Sequence, residues 1–148
     1  MMEAVKRGWT RTIGVDDYKP AQVDALVKAL GPSAKPAVNI CRMSMKKHDD
    51  ATITYCIKND ITYNAFEVMR DCLFDDPLVK SLATKYQASA AQICAVWTRQ
   101  RGCTMSLDTG ANATTVAQYT KEDLDIFGFN MTKVEVDKLS ALGNKPDQ

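Results

Sequence analysis

The chain has 148 residues, with 19 basic and 18 acidic side chains and a formal net charge of +1; its pI is near 7.6. That balance excludes the basic stripe of a general nucleic-acid binder, and no apolar run reaches the ~18 residues that a membrane-spanning helix needs. Met1–Gly8 lacks the apolar core of a secretory signal. The length suits one domain over 1–148 with its own core and a loose tail at 144–148.

Met2–Gly8 reads as helix turns stopped by a glycine. Thr10–Val15 then reads as a short buried strand that delivers Asp16 and Asp17 to its end. In parallel α/β proteins strand ends form the mouth where ligands bind, so this stretch is the first candidate site. Lys19-Pro20 opens a helix with proline in the first turn, and Val23, Leu26, Val27 and Leu30 repeat on one face before Gly31-Pro32. Pro36–Cys41 is a second buried strand. Asp49-Asp50 suits the positive end of a helix dipole, with Ile53, Cys56 and Ile57 facing inward. Ile61–Phe66 reads as a third strand, rich in β-branched and aromatic residues.

Asp76-Pro77 starts a helix with Leu78, Val79, Leu82, Ala83 and Tyr86 along its buried stripe. Ser89-x-x-Gln92 is a capping box ahead of Ile93, Val96 and Trp97, ended by Gly102. Cys103–Leu107 is a weak fourth strand, Asn112–Tyr119 a short helix, and Thr132-x-x-Glu135 the capping box of a last helix ending at Gly143. Strands alternating with helices predict a parallel sheet with right-handed crossovers.

Five cysteines (Cys41, Cys56, Cys72, Cys94 and Cys103) form no CxxC pair, so zinc spacing is absent. They read as buried reduced thiols of an intracellular protein. His48, the one histidine, reads as a solvated loop residue beside a solvated Lys46-Lys47 pair. The seven glycines form no phosphate-binding loop.

Met2-Glu3, Gly8, Arg11, Ile13-Gly14-Val15, Pro36-Ala37-Val38-Asn39, Tyr55-Cys56, Ala65-Phe66, Asp76-Pro77, Ala91-Gln92-Ile93, Gln100-Arg101-Gly102 and Phe127-Gly128-Phe129 follow one another as they do in aldo-keto reductases. By this collinearity the chain resembles the C-terminal half of that family from Met2 to Leu142. The resemblance implies an α/β fold of about four parallel strands with flanking helices, a half-barrel of the (β/α)8 type. It also implies that the family's catalytic Asp, Tyr, Lys and His belong to the other half, so no catalytic residue is expected here.

The resemblance further assigns cofactor positions, most of them replaced. The Ser-Asn pair on the nicotinamide carboxamide is Asp16-Asp17, and the glutamine beside it is Ile40. The stacking tyrosine is Phe66, the pyrophosphate serine is Glu67, and the leucine beyond is Met69. The Lys-Ser pair on the 2′-phosphate is Asp108-Thr109, the flanking arginine is Thr114, and the adenine-contacting asparagine falls near Gln118. Carboxylates in place of cations repel a dinucleotide phosphate; unit charges ~4 Å apart interact by about 4 kcal/mol at an effective dielectric near 20. No cofactor and no metal are therefore expected.

Three readings follow. The favoured one is a non-catalytic accessory or structural subunit of a multiprotein assembly, in the cytoplasm or an organelle interior, as a homodimer or part of a larger complex. Its protein partners would cover the open sheet edges near Ile13 and Met105, because four strands cannot close a barrel. The second is an NADP-dependent oxidoreductase completed in trans, and the third a cation-binding module using the acidic mouth.

Overall fold

A computed structural model describes residues 1–109 and 112–143. Four strands, β1 (Gly14–Asp16), β2 (Val38–Arg42), β3 (Thr62–Phe66) and β4 (Thr104–Met105), pair in the order β1-β2-β3-β4. Pairing of β1 with β2 is parallel. Along β2 and β3 the hydrogen bonds climb in step, Thr62 N–H to Ala37 C=O and Met43 N–H to Phe66 C=O. The flanking helices are α1 (Met2–Lys6), α2 (Pro20–Leu30), α3 (Asp50–Lys58), α4 (Pro77–Tyr86), α5 (Ala90–Gln100), α6 (Ala113–Leu124) and α7 (Lys133–Ser140). Sequence expectations at 144–148 lie outside the described residues.

The chain divides into two compact units, 1–41 with 49–64 and 42–48 with 65–148. In the first, β1 starts later than expected, at Gly14 rather than Thr10, and runs one residue further, through Asp16 rather than Val15. Gly14 is required there: a Cβ would meet Val38 Cγ1 at 2.7 Å. Helix α2 carries Pro20 at its first position, and Gln22 Oε1 accepts from the Lys19 N–H at 2.8 Å. Only Val23 of its apolar face is fully buried, and Leu30 is exposed. Helix α3 is capped by Asp49, which accepts from the Thr52 N–H. It buries Thr52, Ile53 and Cys56, whereas Ile57 faces solvent.

The second unit is centred on α5, in which every residue from Gln92 to Thr98 is buried. The Ser89–Gln92 capping box forms as expected, and Gln92 also donates to the Glu122 and Asp125 carbonyls. Trp97 donates from its indole N–H to Ser140 Oγ at 3.0 Å, anchoring α7, whose own Thr132–Glu135 box is complete.

Three expectations are corrected in this unit. His48 is buried, not solvated, with its ring edge-on to Trp97 at 5.3 Å. A Cβ on Gly143 would strike Met45 C=O and come within 2.8 Å of His48 Cε1, so that closing turn needs glycine. Cys72 and Cys94 form a disulfide, so two of the five expected reduced thiols are bonded to each other, whereas Cys41, Cys56 and Cys103 are buried and outside any disulfide. Helix α6 continues to Leu124, past the Tyr119 expected to end it.

Candidate functional site

In the first unit the mouth is the turn that follows β1. Asp16 is exposed, and Asp17 adopts a left-handed backbone with φ 52°. The Asp17 N–H donates to Ile40 C=O at 2.8 Å, which brings two of the expected positions together. Ile40 itself is 40% exposed.

What fixes this turn is the polar residue on the buried side of β2. Asn39 is fully buried; its Nδ2 donates to Tyr18 C=O at 2.8 Å and its Oδ1 accepts from the Tyr18 N–H at 3.3 Å. Nδ2 also lies 3.9 Å from Cys56 Sγ. A buried amide must find partners or cost free energy, and here it finds them in the backbone of the turn. One polar residue inside the apolar run Pro36–Cys41 was the available signal.

Two further groups shape this mouth. Burial pushes the Cys41 thiol up to about 12, with the Asp17 carboxylate adding to the shift, so it is no nucleophile at neutral pH. Lys19 Nζ pairs with Asp49 Oδ2 at 2.8 Å. Burial alone would raise the Asp49 carboxyl, but the Lys19 ammonium and the Thr52 donors outweigh it and hold it at about 2.

In the second unit the equivalent turn follows β3. Glu67 is again left-handed, with φ 57°. Its Oε2 lies 2.7 Å from Arg42 Nε and its Oε1 2.9 Å from Arg70 Nη1. The half-buried Phe66 ring has the Arg42 guanidinium 5.9 Å from its centre. Glu67 remains the added carboxylate expected from sequence, but each of its oxygens lies beside a guanidinium. Arg70, three residues on, was a readable partner; Arg42 comes from another strand and was not. Both Glu67 oxygens being engaged, the cation-binding reading loses one of its ligands. Among the described residues, no three His, Cys, Asp or Glu side chains gather as metal ligands would.

The remaining expected positions lie near β4 and α6. Asp108 is exposed and Thr109 half-buried. Thr114 donates its N–H to Asn112 Oδ1 at 3.0 Å as part of the α6 cap. Gln118 donates to Glu122 Oε1 at 2.8 Å. Two of these residues therefore serve the local structure of their own helix.

Beside β4 lies an open hollow of about 450 Å³, lined by Thr104, Met105, Leu107, Thr109, Leu124 and Phe127 among others. Leu124 and Phe127 are 72% and 73% exposed. Asp123 also lines it, its carboxyl raised by burial and by the neighbouring Glu122 charge. Leu124 and Phe127 give the rim of this hollow an exposed apolar character that the sequence alone does not mark.

No family model matches the chain. It is 27% identical to aldo-keto reductase family 1 member D1 of Oryctolagus cuniculus, over 95% of this chain and 46% of that protein. It is 25% identical to NADPH-dependent codeinone reductase 1-4 of Papaver somniferum, over 96% of this chain and 44% of that one. Among solved structures, the aldo/keto reductase from Brucella melitensis superposes with a TM-score of 0.80 at 26% identity, over 95% of this chain and 52% of that chain. The chain thus spans about half the length of the relatives it matches.

Proposed function

Because the chain is related to the aldo-keto reductases across the C-terminal half of their barrel, we propose that it acts as a non-catalytic docking or accessory subunit built on that half. The observation that carries this reading is the uncovered apolar surface beside β4, where Leu124 and Phe127 stand out into solvent at the rim of a hollow. Strand β4 is one end of the sheet order and β1 the other. An end strand presents backbone donors and acceptors that another chain can pair with, and a large apolar patch beside it marks an interaction surface. The partner is a protein that pairs with β4 and fills the hollow with apolar side chains, either a second copy or another subunit.

The cofactor positions support the non-catalytic half of the reading. A dinucleotide phosphate is held by cations and hydroxyl donors. Here Glu67 is bound to the chain's own arginines, a carboxylate at Asp108 stands where the resemblance places a lysine, and Thr114 is committed to the α6 cap. In this reading the residues present do not fit NADP, and no chemical step is assigned through it.

Native mass spectrometry and size-exclusion chromatography test the proposal. A defined complex, dimer or hetero-assembly, is expected, with Phe127→Ser and Leu124→Ser shifting it to monomer. A lone monomer at every concentration and in native extracts overturns it. The trans-completed reductase predicts instead that NADPH quenches the fluorescence of Trp9 or Trp97; no quenching at millimolar cofactor removes that alternative.

A further inference from the structure

Helix α1 ends in a turn that its main chain closes. The Gly8 N–H donates to Val5 C=O at 3.0 Å and the Trp9 N–H to Ala4 C=O at 2.9 Å, with Gly8 left-handed at φ 72°. This pair of bonds is the Schellman ending of a helix, in which an apolar residue just past the glycine ordinarily folds back onto the last turn. Trp9 occupies that position and does not fold back: it is 72% exposed. Its ring lies under the Arg7 guanidinium, 5.0 Å from the ring centre, and Glu3 holds Arg7 at 2.7 Å. Backbone hydrogen bonds therefore keep the one tryptophan of the first unit in solvent. The surroundings are open, since a Cβ on Gly8 would meet nothing within 4 Å. Lys6 and Arg11 flank the ring in sequence and both are exposed. No acidic residue occurs in 4–15, and the Asp16 carboxylate comes only at the far end of β1.

We propose that residues 6–11 form a contact surface for anionic lipid bilayers, with Trp9 seated at headgroup level and Lys6 and Arg11 against the lipid phosphates. Tryptophan settles at the membrane–water boundary because its ring is apolar and its N–H is polar. Lysine and arginine beside an anionic leaflet each add attraction that salt screens. A nucleic-acid strand, by contrast, is gripped by successive stacking rings along a basic groove, and here a single ring stands out. The contact is peripheral, because no described helix is long and apolar enough to cross a membrane. It lies in the first unit and is independent of the docking surface beside β4.

Flotation of the whole chain with phosphatidylcholine vesicles, with and without about one-quarter phosphatidylserine, tests it at low ionic strength. The protein is expected to float with the phosphatidylserine vesicles about tenfold or more tightly than with phosphatidylcholine alone. Trp9 emission should shift to the blue and be quenched by brominated lipid; Trp97 is fully buried and should not respond. Lys6→Gln and Arg11→Gln should each weaken binding about fivefold. Trp9→Ala should weaken it further and remove the spectral change, while leaving the thermal midpoint in place because the ring is exposed. Equal affinity for the two vesicles, an unchanged Trp9 spectrum, or full binding by Trp9→Ala overturns the proposal. So does release from the vesicles by a single-stranded oligonucleotide that itself binds more tightly, which would assign the surface to nucleic acid.

Discussion

The turn after β1 and the turn after β3 solve the same backbone problem by opposite means. Each places a non-glycine residue in the left-handed region just past a strand end, Asp17 at φ 52° and Glu67 at φ 57°. That conformation costs roughly 1–3 kcal/mol unless its surroundings compensate. Around Asp17 the compensation is neutral and buried: a main-chain hydrogen bond to Ile40 and the Asn39 amide clasping both polar groups of Tyr18. Around Glu67 it is ionic and exposed, with two arginines on the carboxylate, and a covalent tie follows at Cys72–Cys94. The first turn is therefore set by the interior of its unit, the second by surface ion pairs that solvent and salt can reach and by a buried disulfide beyond them.

The largest expected effects separate these two devices. Cys72 and Cys94 are 22 positions apart and link the β3–α4 connection to α5. Closing a loop of that size restricts the unfolded chain by about 3 kcal/mol. Cys72→Ser should lower stability by about that amount in denaturant melts, and a reductant should lower the parent equally; an unchanged midpoint in both would mean that the covalent tie contributes nothing to the second turn. Asn39→Ala should cost about 2 kcal/mol, because it strands the Tyr18 N–H and C=O. Reductant should leave that loss unaltered, since Asn39 acts within the first unit. A loss below a few tenths of a kcal/mol would remove the buried-amide half of the comparison.

Acid probes a third level. The Asp49 carboxyl is held at about 2, below its ordinary value of 3.8, although burial opposes the shift. A depressed carboxyl stabilises the fold above its unfolded pKa, near 4, and that contribution fades as pH falls through 2. The full shift corresponds to about 2 kcal/mol; since the Asp49 side chain is 35% exposed, solvent screening reduces it to about 1 kcal/mol. Asp49→Asn should flatten the stability profile between ~pH 4 and ~pH 2 by that amount, read from urea midpoints at each pH. The exposed ions on Glu67 should matter less still, with Glu67→Asn changing stability by under ~1 kcal/mol.

Much of the architecture was legible because it is local. Pro20, the Ser89–Gln92 and Thr132–Glu135 boxes and the Asp76 cap act within one helical turn, so their residue types announce them. What was misread depends on partners distant in sequence. Burial of His48 requires Trp97 and the Gly143 turn, and neither is near it in the chain. A disulfide between Cys72 and Cys94 is a matter of geometry that five scattered cysteines do not reveal. In Pro36–Cys41 the continuous apolar run hid the alternation of β2, so that Asn39 and Cys41 point inward while Ile40 points out. The candidate site is read from sequence through its charges, and the neighbour of one is not legible there: Glu67 lies against Arg42, which a strand far upstream supplies.

The smallest effect on stability belongs to the surface that the docking reading depends on. Phe127 and Leu124 are about three-quarters exposed, and replacing such residues generally shifts stability by no more than ~0.5 kcal/mol. In the same unit Val96 lies at zero exposure on α5, where truncation to alanine leaves a cavity and costs about 1–3 kcal/mol. Phe127→Ser and Leu124→Ser should therefore leave the melting curve of the isolated chain unchanged while weakening its assembly, whereas Val96→Ala should do the reverse. If the two surface variants melt several degrees lower in the absence of any partner, these side chains already pack within the chain, and the exposed rim beside β4 is not a docking surface.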